Sequence, residues 1–126
     1  MKNVVDSSGW LAYFTDENGP DFFAPAIEDL ENLIVPSISL YEVFKHILVR
    51  RGEDEALQAT GAMLQGTTVD LNPEIALDAA KLSAQLKLPM ADSIILATAR
   101  KFEAVLWSQD SDFEGLPNVQ YFPKMS

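Results

Sequence analysis

The residues of this chain that could do chemistry are carboxylates and hydroxyls. Among its 126 residues there is one His and no Cys, against 19 Asp and Glu. That excludes disulfide scaffolds, Cys-ligated zinc, iron–sulfur clusters, thiol nucleophiles and any mechanism needing two histidines. Five acids stand where secondary-structure elements are expected to start or end: Asp6, Glu42, Asp92, Asp110 and Asp112. In an open parallel sheet, ligands sit beyond the carboxyl ends of the strands, and these acids map to that edge.

Each acid also has a purely structural explanation. Asp6 could cap the helix that follows it, and Ser39-Leu40-Tyr41-Glu42 reads as a capping box. Asp92 could cap its own helix, and Ser108-Gln109-Asp110-Ser111-Asp112 could form an Asx-type turn. Gathered around one mouth, however, the acids need compensation. Two like charges ~4 Å apart repel by about 4 kcal/mol at an effective dielectric of about 20. No Lys or Arg adjoins Asp6, Asp92 or Asp110 in sequence. A hard divalent cation, Mg²⁺ or Mn²⁺, is the simpler answer, because it takes oxygen ligands and keeps waters. Such an ion acidifies water and screens phosphate charge, which suits phosphodiester hydrolysis and needs neither His nor Cys.

Alternating elements position these acids. The hydropathy pattern predicts short strands at 2–6, 33–35, 67–71, 104–107 and 119–122. Between them it predicts six helical stretches. Ser7 or Ser8 caps the first, which runs to about Phe14. After an Asn18-Gly19-Pro20 turn the second passes through Ile27, Leu30 and Leu33, with Pro25 near its start. Pro36 stops the second strand. Ser39 then opens a helix with the apolar stripe Leu40, Val43, Phe44, Ile47 and Leu48. Glu53-Asp54-Glu55 fronts a helix reaching Leu64, at the positive end of its dipole. Asn72-Pro73-Glu74 starts a helix that Pro89 ends, and 91–102 is helical. Strands alternating with helices indicate an α/β fold with a mostly parallel sheet of about five strands, in a single domain over residues 1–126.

Other signatures are absent. The six glycines never fall two apart, so there is no dinucleotide fingerprint. There is also no phosphate loop and no nucleophile elbow. His46 lies mid-helix, where a Ser-His-Asp triad would not place it. In residues 1–6 the apolar run before Asp6 is only Val4-Val5, and no stretch approaches a membrane span, so a cytoplasmic protein is expected.

Four ordered segments resemble the PIN domain: Val4-Val5-Asp6-Ser7-Ser8, Glu42 after a strand, Ala91-Asp92-Ser93-Ile94-Ile95-Leu96-Ala97, and Leu106-Trp107-Ser108-Gln109-Asp110-Ser111-Asp112-Phe113. The subgroup most similar is the small VapC-type toxins of VapBC toxin–antitoxin pairs. The resemblance implies a three-layer sandwich and a Mg²⁺- or Mn²⁺-dependent endoribonuclease. Carried over position by position, Asp6, Glu42, Asp92 and Asp110 are the catalytic quartet. Asp6, Asp92 and Asp110 hold a metal, and Glu42 serves a second ion or the attacking water. Asp112 and Ser108 are auxiliary, Ser108 standing where Thr is commoner. The resemblance also implies a homodimer, neutralised by an antitoxin whose tail packs along the early helices.

Lys45, Arg50, Arg51, Arg100 and Lys101 are candidate RNA contacts through phosphate. For Arg100 and Lys101, complementing a helix dipole is the competing reading. His46 stands one turn after Glu42, as a partner of the site or a contact to RNA, or else as a solvated or antitoxin-facing side chain. Trp10, Phe14, Phe22 and Phe23 read as core unless two or more prove exposed. The net charge of −10 disfavours RNA binding by a generic basic surface. It suits a metal-neutralised mouth and a basic antitoxin tail instead. The alternatives are a PIN nuclease of RNA maturation, or a silent module that keeps its acids as a metal-dependent docking site.

Overall fold

The computed structural model describes residues 1–15 and 19–124. The chain runs β1 (Asn3–Val5), α1 (Ser7–Thr15), α2 (Pro20–Glu28), β2 (Leu33–Pro36), α3 (Ser37–Arg51) and α4 (Glu53–Met63). It continues with β3 (Thr67–Val69), α5 (Pro73–Leu86), α6 (Met90–Lys101), β4 (Val105–Ser108) and β5 (Val119–Tyr121). Single 3₁₀ turns occupy Leu30–Asn32 and Ser111–Phe113. All strand pairs are parallel, in the order β3-β2-β1-β4-β5.

Side-chain alternation along the strands builds the three layers. Val4, Ile34 and Leu106 point into one core with Ile75, Leu82 and Ile95 of α5 and α6. Their neighbours Val5, Leu33 and Val35 point the other way, onto Trp10, Phe23, Val43 and Met63 from α1 to α4. The expected α/β sandwich is therefore present, with every strand parallel. Trp10 and Phe23 are fully buried and Phe14 and Phe22 partly so, which assigns the early aromatics to the core.

The connections leave β1 towards β2 on one side, while β4 and β5 fill the other. The point where strand order reverses lies between β1 and β4, and a crevice opens beyond their carboxyl ends. Asp6 and Ser108 stand at that crevice. A backbone bond from Asp6 N–H to the Trp107 carbonyl, at 3.0 Å, prolongs the β1–β4 ladder to its rim.

Several expected boundaries shift, each for a local reason. Asp6, rather than Ser7 or Ser8, caps α1: its Oδ1 accepts the Gly9 N–H at 2.9 Å. Helix α2 ends at Glu28, with Pro25 in its interior. Leu33, at helical spacing from Leu30, is claimed by the sheet. Pro36 ends β2 as its last residue rather than lying beyond it; it pairs with Val69 and forms the N-cap of α3, which begins at Ser37 rather than Ser39. The capping box is not made. Ser39 is buried with its Oγ unpartnered, and the Glu42 carboxylate goes elsewhere. β3 stops at Val69, before Leu71. Asn72 caps α5 as its sequence implies, accepting the Ile75 N–H at 2.9 Å. That helix ends at Leu86 with Lys87 left-handed, so Pro89 instead caps α6. The Asn18 part of the expected turn lies outside the described residues; Gly19 is left-handed and Pro20 opens α2.

Gly9 lets α1 lie against the sheet. A Cβ there would stand 2.7 Å from Val5 Cγ1 and 2.8 Å from the Phe23 ring. In Gly9→Ala, overpacking of about 1–3 kcal/mol outweighs about 1 kcal/mol of helix propensity. A thermal melt is expected to show a midpoint lower by roughly 4–8 °C. An unchanged midpoint would mean that α1 lifts from β1 without cost.

Candidate metal centre

The crevice gathers acids from three parts of the chain. Asp92 enters from the first turn of α6, and Asp110 and Asp112 from the turn after β4. One carboxylate oxygen from each of these three lies within 4.8 Å of the others. Pro89 caps α6, so the Asp92 carboxylate is not spent on capping. Asp110 serves two purposes: it caps the 3₁₀ turn, Oδ1 accepting the Asp112 N–H at 2.9 Å, and it faces Asp92.

Asp6 lies behind this trio at 2% exposure. Its oxygens are held by donors: Oδ1 by Ser8 Oγ at 2.7 Å and Gly9 N–H, Oδ2 by Ser108 Oγ at 2.6 Å. Ser108 Oγ in turn accepts the Asp110 N–H at 2.8 Å. One hydroxyl thus ties the end of β1 to the turn that carries Asp110. Ser8 Oγ ties the same two segments again by accepting the Gln109 N–H at 3.1 Å. Glu42 stands apart from the trio, its Oε1 accepting the Ser7 hydroxyl at 2.6 Å.

Electrostatics mark the trio as a site lacking a positive charge. Burial pushes the Asp92 carboxyl up to about 8, with further contributions from the Asp110 charge, hydrogen bonding with Asp110, and the Asp6 and Asp112 charges. Burial likewise raises Asp6 to about 6, against the pull of Ser108, Ser8 and Gly9. Among the described residues the ion pairs are Arg51–Glu55 and Lys101–Glu74, and neither touches these acids. A proton held on Asp92 is therefore the compensating charge, and a hard cation with oxygen ligands fits in its place.

Asp6 and Asp92 keep protons in the fold at pH values where the unfolded chain, with carboxyls near 3.8, has lost them. The metal-free protein is therefore expected to lose stability as pH rises from about 4 to about 8. Divalent ions compete with those protons, so their affinity should rise over roughly pH 6–8. Melting temperatures in EDTA and in Mn²⁺, compared across that range, test both slopes; a Mn²⁺ effect independent of pH would contradict them.

Of the sequence-based site residues, the structure brings Asp92, Asp110 and Asp112 together, with Asp6 and Ser108 directly behind. Glu42 reaches the mouth through Ser7. None of the candidate RNA contacts makes a hydrogen bond or ion pair with these acids. Lys45 lies 5.8 Å over the Tyr41 ring, Arg51 pairs with Glu55, and Arg50 is exposed at the end of α3. Arg100 and Lys101 are eight and nine residues beyond Asp92 on α6, roughly 12–14 Å along the axis. Lys101 is held there by Glu74. His46 makes no hydrogen bond with Glu42, and burial with the nearby Arg50 charge lowers its pKa. Sequence reasoning missed Ser7 and Ser8 as holders of Glu42 and Asp6, having read them as helix caps. Their place directly after the strand-ending acid was the available signal.

A crevice at the strand-order reversal, walled by acids that follow β1, open α6 and occupy the turn after β4, defines an α/β domain with residues that could hold a metal ion. The family model for the PIN domain matches residues 4–118, and the chain belongs to that family. Solved structures of similar fold include a toxin–antitoxin complex from Klebsiella pneumoniae, with TM-score 0.82 and 20% identity, covering 98% of this chain and 100% of that one. Another is VapC20 of Mycobacterium tuberculosis, described as a Sarcin-Ricin loop cleaving toxin. Its TM-score is 0.77 at 16% identity, over 92% of this chain and 95% of that one. DNA-bound VapBC from Salmonella typhimurium gives TM-score 0.75 at 16% identity, over 97% and 98%. No curated protein is significantly similar in sequence.

Proposed function

We propose that this protein is a Mg²⁺- or Mn²⁺-dependent endoribonuclease, the toxin of a type II toxin–antitoxin pair, formed as one PIN domain across residues 1–126. The Asp92–Asp110–Asp112 trio, with buried Asp6 braced behind it, carries the proposal. These residues would hold the ion. When bound, the metal supplies neutralising charge for the phosphodiester and acidifies water. Ser108 and Ser8 fix Asp6 and the Asp110 turn in one geometry, so that little reorganisation is needed as charge develops. Ser7 orients Glu42 through Oε1 and leaves Oε2 to accept a proton from the attacking water.

The toxin assignment is supported by the toxin–antitoxin complexes among the similar structures. The antitoxin's tail is expected along the early helices. Exposed Tyr41, Leu48, Val49, Leu57 and Leu64 on and after α3 and α4 give it apolar surface, and the net charge of −10 favours a basic tail. A homodimer fits exposed Leu77, Leu86 and Met90 on α5 and α6. Among the described residues no helix is long and apolar enough to cross a membrane, and the RNA substrate points to action in the cytoplasm. Incubation of the wild-type protein with cellular RNA is expected to give cleavage in Mn²⁺ and none in EDTA. Mn²⁺ binding without cleavage of any RNA would overturn the enzyme assignment in favour of a silent module.

A further inference from the structure

Beside the acid trio the same mouth holds a second depression. It is a cleft of about 350 Å³ lined by Ser8, Gln109, Asp110, Ser111, Tyr121 and Lys124. Asp110 forms a wall of both, so whatever fills the cleft lies directly against the metal centre. The two are also one rigid body: Ser8 Oγ donates to Asp6 and accepts from Gln109 N–H, and the Phe122 N–H bonds the Ser108 carbonyl at 2.9 Å. A lining of this size and polarity suits one small, hydrogen-bonding unit rather than a greasy ligand.

The side of the cleft away from Asp110 is a row of unused donors. Among the described residues the Tyr121 and Ser111 hydroxyls make no hydrogen bond. The Lys124 ammonium makes no ion pair with a described residue, in a chain with ten excess negative charges. Arg51 and Lys101 are paired with acids, and Lys2 precedes β1 at the opposite edge of the sheet. An acidic, cation-seeking pocket flanked by a donor-lined cleft with an aromatic ring has the chemistry to take a nucleotide beside a phosphate. One phosphate would lie at the trio, the next at Lys124, and a base against Tyr121.

We infer that this cleft is the subsite for the nucleotide adjoining the scissile phosphate of an RNA strand, with Lys124 binding the neighbouring phosphate and Tyr121 stacking on the base. The inference rests on the ribonuclease proposal and deepens it.

The test is equilibrium binding of a short fluorescent single-stranded RNA, with Ca²⁺ in place of Mn²⁺. Lys124→Gln is expected to weaken binding about 5-fold or more and to lower the slope of log K against log [salt] by about 0.7. Lys124→Arg should retain both. Tyr121→Ala is expected to lose about 10-fold or more, and Tyr121→Phe little, since stacking needs the ring. Lys2→Gln should leave affinity within about twofold. Unchanged Mn²⁺ affinity and melting temperature would show that the variants keep the trio and the fold. Lys124→Gln and Tyr121→Ala both binding like wild type would overturn the subsite. If the wild type cuts no RNA, the ribonuclease proposal fails, while the binding comparison still decides the cleft; no RNA binding by the wild type overturns both.

Discussion

Asp110→Asn is expected to lower Mn²⁺-dependent RNA cleavage by about 10³-fold while leaving the melting temperature of the metal-free protein unchanged or higher. The two effects diverge because the residue's structural and electrostatic duties separate. Asparagine keeps an Oδ1 that can accept the Asp112 N–H, so the 3₁₀ turn stays capped. The backbone bond from residue 110 to Ser108 Oγ is untouched. What disappears is one negative charge among Asp6, Asp92 and Asp112, and Asp110 heads the charges that raise Asp92. Relief of that repulsion stabilises the apo fold and should lower the pH at which Asp92 ionises. The same relief removes one of three oxygens that a divalent ion would use, so Mn²⁺ should no longer raise the melting temperature. Cleavage assays beside thermal melts with and without Mn²⁺ decide the matter. A variant that cleaves normally would remove Asp110 from the chemistry, and one that melts far lower would make it a structural residue.

This divergence explains why the acids could be located from sequence while their roles could not. Strand–helix alternation and the ordered acid segments were legible because they are local, each acid sitting within a few residues of an element boundary. Structural and functional readings compete at each acid, yet at Asp6 and Asp110 the structural duty is compatible with a place at the crevice. Asp6 caps α1 with Oδ1 and faces Ser108 with Oδ2, and Asp110 caps its turn while facing Asp92. A carboxylate has two oxygens, and at Asp6 the fold uses them separately. Contacts across distant segments were not legible. Glu42 looked like the end of a capping box because Ser39 is three residues away, whereas its partner Ser7 is 35 residues away. Lys101 looked available for phosphate until Glu74, 27 residues back, took it. In both cases packing of two helices chose the partner, and no single-segment pattern reports that choice.

Phe113→Ala is expected to be the most destabilising substitution at the rim of the site, by about 3–5 kcal/mol, with a melting temperature lower by roughly 10–20 °C. Phe113 is fully buried in the core beneath α5 and α6, with Val4, Ile95 and Leu106. It is also the last residue of the turn that presents Asp110 and Asp112, its N–H bonding the Asp110 carbonyl at 3.0 Å. The aromatic ring therefore anchors an exposed acidic turn into the hydrophobic layer. Without it the turn retains its hydrogen bonds but loses the contact that sets its height above β4. Mn²⁺ affinity should then fall about 10-fold or more at temperatures well below the new melting point, as for loss of a residue that orients ligands. Phe113→Leu, which refills most of the cavity, should restore much of both properties. Loss of stability with metal affinity intact would show that the Asp110–Asp112 cap alone holds the turn. The expected coupled loss would mean that a core side chain sets the geometry of the metal centre.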